Sequence, residues 1–230
     1  MKMALISDIH GNYPALLAVL GRIREENCDL IVSLGDVAGY YCMINECIDL
    51  CRKRSVVNIL GNHDHYLAFG GECPRSTTVN MCINFQRRVI SPENLRWLRE
   101  SIREYRTRHC WFVHGGWNDP LDEYVNAFDF LRFSTCGAQV FASGHTHIQK
   151  IERKAPLTYV NPGSVGQPRD GNPGAAFAVI DSASVVSLCR VDYDIDGIAS
   201  AMKRNGFERR FYEGLYDGTR IQQFDRTQSP

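Results

Sequence analysis

The chain has 230 residues with 26 basic and 26 acidic side chains, so it lacks the excess positive charge that tracks a nucleic-acid backbone or holds an anionic membrane. At 44% hydrophobic and 23% charged residues it has enough apolar material for a sizeable core, and its length suits a single domain over residues 1–230. No stretch reaches the roughly 18 apolar residues of a membrane span, and the apolar run from Met3 to Ile6 is too short for a signal-peptide core; a cytoplasmic protein is expected.

The first element is that apolar run, read as a buried strand ending at Ser7-Asp8-Ile9-His10-Gly11-Asn12. Asn12 then caps a helix to about Glu26, with Pro14 in its first turn and Leu16, Leu17, Leu20 and Ile23 at helical spacing. Leu30 to Leu34 is a second strand, and strand–helix–strand at this spacing implies a right-handed parallel crossover. It ends in Gly35-Asp36, which places Asp36 at the same sheet edge as Asp8. Ile44 to Arg52 is helical, and Val56 to Leu60 is a third parallel strand ending in Gly61-Asn62-His63-Asp64.

Tyr66 to Pro74 reads as irregular, Thr77 to Val89 as a helix, and Ser91-Pro92-Glu93 as the start of another. Cys110 to Val113 is a strand ending in His114-Gly115-Gly116. Asp122 to Phe133 is amphipathic, its four aromatics read as core or pocket rim. A short strand at Val140 to Ala142 leads to Gly144-His145-Thr146-His147. Thr158 to Val160 precedes a turn-rich loop from Asn161 to Gly171. Ala175 to Ile180 and Val185 to Val191 form a hairpin, Ile195 to Lys203 is a final helix, and the chain from Asp217 onward is expected to fray. The nine cysteines contain no Cys-x-x-Cys and are read as free thiols.

One Asp-x-His pair carries little information. Strand, glycine, then Asp, Asn or His, repeated along the chain, carries more, because open α/β sheets bind ligands at the carboxyl ends of their strands. Carboxylate and amide oxygens mixed with imidazoles suit Mn, Fe, Zn, Ni or Co better than calcium.

Asp8-x-His10, Gly35-Asp36, Gly61-Asn62-His63-Asp64, His114 and Gly144-His145-Thr146-His147, in this order, resemble the calcineurin-like metallophosphoesterase superfamily. The later Asn161-Pro162-Gly163-Ser164, Arg169-Asp170-Gly171 and final helix resemble its small bacterial and archaeal phosphodiesterase branch, often labelled dinucleoside-tetraphosphatase-like. The resemblance implies an α/β fold of four layers, α/β/β/α, with two mixed sheets face to face. It implies two divalent transition-metal ions: one on Asp8, His10, Asp36 and His147, the other on Asp36, Asn62, His114 and His145. Asp36 would bridge them through its two oxygens, and a hydroxide shared by the ions would be the nucleophile. His63 matches the family's non-ligand histidine, placed to stabilise the transition state or protonate the leaving oxygen.

Asn12 and Arg169 are candidates for phosphate contact. Phosphoprotein phosphatases of the superfamily carry an aspartate and an arginine soon after Gly-Asp, whereas here the run is Gly35-Asp36-Val37-Ala38-Gly39-Tyr40. That leaves the partner of His63 unassigned and favours a phosphodiester or small nucleotide as substrate over a phosphoprotein. The rival reading, a non-catalytic scaffold of the same fold that binds a protein partner, fits poorly with an intact ligand set. The oligomeric state, a homo-oligomer included, is left open.

Overall fold

The computed structural model describes residues 1–221. Its first half alternates strand and helix: β1 (Met3–Ile6), α1 (Tyr13–Glu25), β2 (Leu30–Ser33), α2 (Ile44–Lys53) and β3 (Val57–Asn58), followed by α3 (Asn62–Phe69), α4 (Thr77–Val89) and α5 (Pro92–Arg99). The second half is strand-rich: β4 (Tyr105–Arg106), β5 (Cys110–Phe112), β6 (Val140–Ala142), β7 (Gln149–Lys154), β8 (Leu157–Pro162), β9 (Ala175–Ile180) and β10 (Val186–Val191), then α6 (Ile195–Arg204).

Two mixed sheets result. The first has the order β10-β9-β1-β2-β3, with β1, β2 and β3 parallel; the second has the order β4-β5-β6-β8-β7, with β5, β6 and β8 parallel. Strand periodicity explains how they stack, because successive side chains leave opposite faces. Met3 and Leu5 of β1 join Val140 and Ala142 of β6 and Ala178 and Ile180 of β9 in the layer between the sheets. Ala4, Ile6, Phe177 and Val179 face the other way, against α1 and α2. The outer face of the second sheet is covered by residues 117–136, where Trp117, Phe128 and Phe133 pack on Phe141 and Tyr159. Phe128 lies stacked on Tyr159 with centroids 5.0 Å apart, and Tyr124 stands at the cavity rim. The aromatics of this stretch are therefore core and rim, as expected.

Three boundaries differ from the sequence reading. The stretch after Gly61 is helical through Phe69, and irregular chain begins at Gly70; α3 escapes notice because its buried face is Asn62, His63, Asp64, Leu67 and Ala68, mostly polar. β7 was missed because Gln-Lys-Ile-Glu-Arg-Lys has one apolar residue; it is an edge strand on β8, where charge discourages further pairing. The chain from Asp217 does not fray at once: Gly171 donates its N–H to Gly218, and Ile221 is buried. The rest of that polar tail, 222–230, lies outside the described residues. All nine cysteines are free, with Cys47 and Cys51 on the buried face of α2. Among the described residues no helix is long and apolar enough to cross a membrane.

Candidate active site

Every parallel strand ends at one common edge, and the polar residues follow those ends. Asp8 and His10 follow β1, Asp36 follows β2, Asn62 and His63 open α3 beyond β3, His114 follows β5, and His145 and His147 follow β6. All eight side chains are buried. The turns are tight: Asp8, His10, Asp36, His145 and His147 have φ of 54, 53, 58, 65 and 62°. That left-handed region is uncommon for residues other than glycine, although Asp and His tolerate it better than most. Gly61 is required for a different reason, since a Cβ there would sit 2.1 Å from Asp36 Oδ1 and 2.4 Å from its backbone nitrogen. The glycine lets the start of α3 close on Asp36.

Hydrogen bonds aim the ring nitrogens. Nδ1 of His10, His114 and His147 pairs with the backbone carbonyls of Ala38, Leu34 and Gln167 at 2.7, 2.8 and 2.7 Å. A carbonyl can only accept, so each Nδ1 carries the proton and each Nε2 presents a lone pair, the usual preparation of a metal-binding imidazole. Asp8 Oδ2 accepts from the Ser7 hydroxyl and the His145 N–H, while Oδ1 has no hydrogen-bond partner and faces His147 Nε2 at 3.3 Å and His10 Nε2 at 3.7 Å.

Asp36 repeats the arrangement. Its Oδ1 accepts from the His63 N–H at 2.8 Å, and its unpartnered Oδ2 lies 3.5 Å from His114 Nε2 and 3.9 Å from His10 Nε2. A bridge through two separate oxygens therefore finds only one free here; Oδ2 alone faces both groups, and one oxygen has two lone pairs. Asn62 Oδ1 is 3.1 Å from His114 Nε2, and His145 Nε2 is also without a hydrogen bond. The ligand-capable atoms gather as Asp8, His10 and His147; as Asp36, His114 and His145; and between them as His10, Asp36 and His63.

Buried polar atoms left without partners cost roughly 1–3 kcal/mol each, so this concentration of lone pairs calls for a bound cation. The donor set of carboxylate, amide and neutral imidazole fits a divalent transition metal.

Asp64 has a role that spacing did not disclose. Its carboxylate accepts from the backbone N–H groups of Asp36 at 3.0 Å, Ala38 at 2.8 Å and Gly61 at 3.3 Å, locking the Asp36 turn to α3. It does not touch the His63 ring, whose Nδ1 has no partner. Asn12 lies beneath the site: its Oδ1 caps α1 at Ala15, its Nδ2 donates to Gly166 and Tyr193, and it is fully buried. The expected phosphate contact finds no free atom on it. Arg169, by contrast, lines the cavity of about 180 Å³ over the metal-ligand candidates, together with Tyr40, His63, Arg75, Tyr124 and Gln167. Its guanidinium donates to Gln167 Oε1 at 2.6 Å and to the Tyr40 hydroxyl at 2.9 Å.

Burial, followed by the neighbouring imidazoles or Arg169, pushes the pKa values of His10, His63 and His147 down, and that of His145 to about 2. Burial also pushes Asp36 well up, reinforced by the negative charges of Asp64 and Asp8, and burial raises Asp64 as well. For Asp8, burial is outweighed by His147, His114 and His10, which hold its carboxyl well below the usual range. The pH response of the metal-stripped protein follows. Between about pH 6.5 and 5 the unfolded chain protonates these four histidines and the native state does not, so stability falls as pH falls. The raised pKa values of Asp36 and Asp64 act in the opposite sense and offset part of this loss. Urea midpoints of stripped protein are expected to drop steadily from pH 7 to pH 5; a flat or rising profile would contradict the buried, neutral imidazoles.

Comparison with known proteins places the chain in a family. Residues 1–184 match the model of the calcineurin-like phosphoesterase superfamily domain. The uncharacterized protein MJ0912 of Methanocaldococcus jannaschii is 31% identical over 245 residues, covering 94% of this chain and 98% of that one. Phosphodiesterase YfcE of Escherichia coli is 28% identical over 192 residues, covering 82% and 92%. The crystal structure of a metallophosphoesterase from Sphaerobacter thermophilus superposes with a TM-score of 0.81 at 26% identity, covering 95% of this chain and all of the other. The chain belongs to the calcineurin-like phosphoesterase superfamily and is a metal-dependent phosphoric ester hydrolase.

Proposed function

We propose that this enzyme is a binuclear-metal phosphodiesterase or nucleotide phosphatase. The observation that carries the reading is Asp36 Oδ2, buried, without a hydrogen bond, and within 3.9 Å of imidazole nitrogens from both ligand groups. Asp8, His10, Asp36 and His147 would hold one ion, and Asp36, Asn62, His114 and His145 the other, with Mn, Fe, Zn, Ni and Co all compatible with the donors. When bound, such a pair supplies Lewis-acid activation of water and of the phosphoryl oxygens for in-line attack.

The chain supplies the rest. Arg169, fixed by Gln167 and Tyr40, contacts phosphate oxygen from one wall of the cavity. His63 has no hydrogen bond at Nδ1 and stands 3.9 Å from Asp36 Oδ2 through Nε2. Burial keeps its ring neutral with a single N–H, and that proton serves the phosphoryl or leaving oxygen. The absence of a second aspartate and an arginine after Asp36, where Val37 to Tyr40 stand, supports a diester or small nucleotide over a phosphoprotein.

Metal-stripped protein given Mn²⁺, Co²⁺, Ni²⁺ or Zn²⁺ is expected to turn over bis-p-nitrophenyl phosphate faster than the monoester, with about two ions per chain by elemental analysis. No turnover with any of these metals would sink the reading.

A further inference from the structure

Opposite Arg169 the cavity has a second cationic wall. Arg75 stands immediately before Ser76, the cap of α4, and lines the cavity, as does Arg220. In a chain whose total charge is balanced, three guanidinium groups around one small cavity are more than a single phosphate on a metal pair requires. Arg75 is also the one whose surroundings tie it to the metal-ligand candidates. Its Nη2 is paired with Asp122 Oδ1, and its guanidinium carbon lies 5.6 Å from the centre of the Tyr124 ring. The same Asp122 oxygen is 3.5 Å from His145 Nε2, and the Tyr124 ring is 4.2 Å from the His145 ring. The guanidinium is thus one carboxylate away from a nitrogen aimed at the metal position.

An ion pair made only to join two loops would contribute little at this exposure, with Arg75 46% exposed. Asp122 occupies Nη2, whereas a guanidinium offers five N–H donors in a planar fork. The remaining edge is available to an anion in the cavity. Held on Tyr124 by ring contact and by Asp122, that edge needs little ordering when an anion arrives.

We propose that Arg75, positioned by Asp122 and Tyr124, binds a second anionic group of the substrate on the side away from Arg169. The site then favours esters or anhydrides bearing a second phosphate over singly phosphorylated ones. This rests on the phosphoesterase reading above and adds a substrate class to it. Arg169 contacts the phosphoryl group that reacts; Arg75 contacts the phosphate of the departing portion. Asp122 acts through Arg75 and is a positioning residue.

Binding of AMP and ADP to metal-loaded protein tests it, measured by calorimetry in a His63→Ala background to suppress turnover. ADP is expected to bind at least 10-fold more tightly than AMP. Arg75→Ala should weaken ADP by about 10–100-fold, the range of a charge-assisted contact, and AMP by far less, with metal content unchanged. Arg75→Lys should restore part of the preference, and Asp122→Asn should reduce the ratio of ADP to AMP affinity. Equal loss for both nucleotides in Arg75→Ala, or no ADP preference to begin with, overturns the proposal. Turnover of bis-p-nitrophenyl phosphate by the unmodified enzyme is decided separately, so failure of the second subsite and failure of the phosphoesterase reading give different results.

Discussion

Asp36→Asn is expected to lose metal and activity together, with kcat on bis-p-nitrophenyl phosphate down by at least about 10³-fold, the scale on which a group stabilising transition-state charge is felt. Asn keeps an oxygen at the Oδ1 position, so the 2.8 Å bond from the His63 N–H survives. What changes is Oδ2, which becomes an amide NH₂ facing His114 Nε2 and His10 Nε2. Those nitrogens then receive hydrogen bonds where they offered lone pairs to a cation. The substitution also removes a carboxyl that burial and the charges of Asp64 and Asp8 push well above its ordinary pKa. The metal-free variant is therefore expected to unfold at a urea concentration equal to or above that of the stripped wild type, a trade of function for stability. Retention of both ions and more than a tenth of the rate would show that Asp36 does not join the two halves of the centre.

His63→Ala is the second large effect: turnover falls by about 10²–10⁴-fold, the usual contribution of a positioned proton donor, while elemental analysis finds the metals still bound. The separation is informative because His63 lies within reach of His10 and Asp36. Loss of an ion would make it a ligand. Its role as donor also predicts a dependence on the leaving group: the deficit should be larger for an alkyl alcohol than for p-nitrophenol, whose oxygen departs without a proton. An equal deficit on both would reassign His63 to transition-state charge stabilisation alone.

The turns that carry the candidate ligands could be read from the sequence because their grammar is local. An apolar run, a glycine and a polar residue identify a parallel strand end whichever helices surround it, and Gly61 shows why the glycine is needed. Asp64 stands in the same motif, yet its three backbone donors come from residues 36, 38 and 61, a convergence that no spacing announces. β7 and α3 were missed for a related reason: an edge strand has little to bury, and a helix whose inner face is Asn, His and Asp has no hydrophobic stripe. Asn12 was misjudged by proximity. It neighbours Asp8 and His10 in sequence, but as a helix cap it points its oxygen at Ala15 and its nitrogen at Gly166. Arg75 and Asp122 are 47 residues apart, and only the folded chain pairs them.

The left-handed turns at Asp8, His10, Asp36, His145 and His147 restrict what may replace these residues before any question of coordination arises. Apart from glycine, that backbone region is populated mainly by Asn, Asp and His, and each of those that can bind a metal offers oxygen or nitrogen. A thiolate at any of the five would have to be held in a conformation its residue disfavours, although the chain is otherwise rich in cysteine. Laboratory evolution towards a thiophilic metal such as cadmium would thus have to rebuild the main chain, whereas exchange among borderline ions needs no change in sequence.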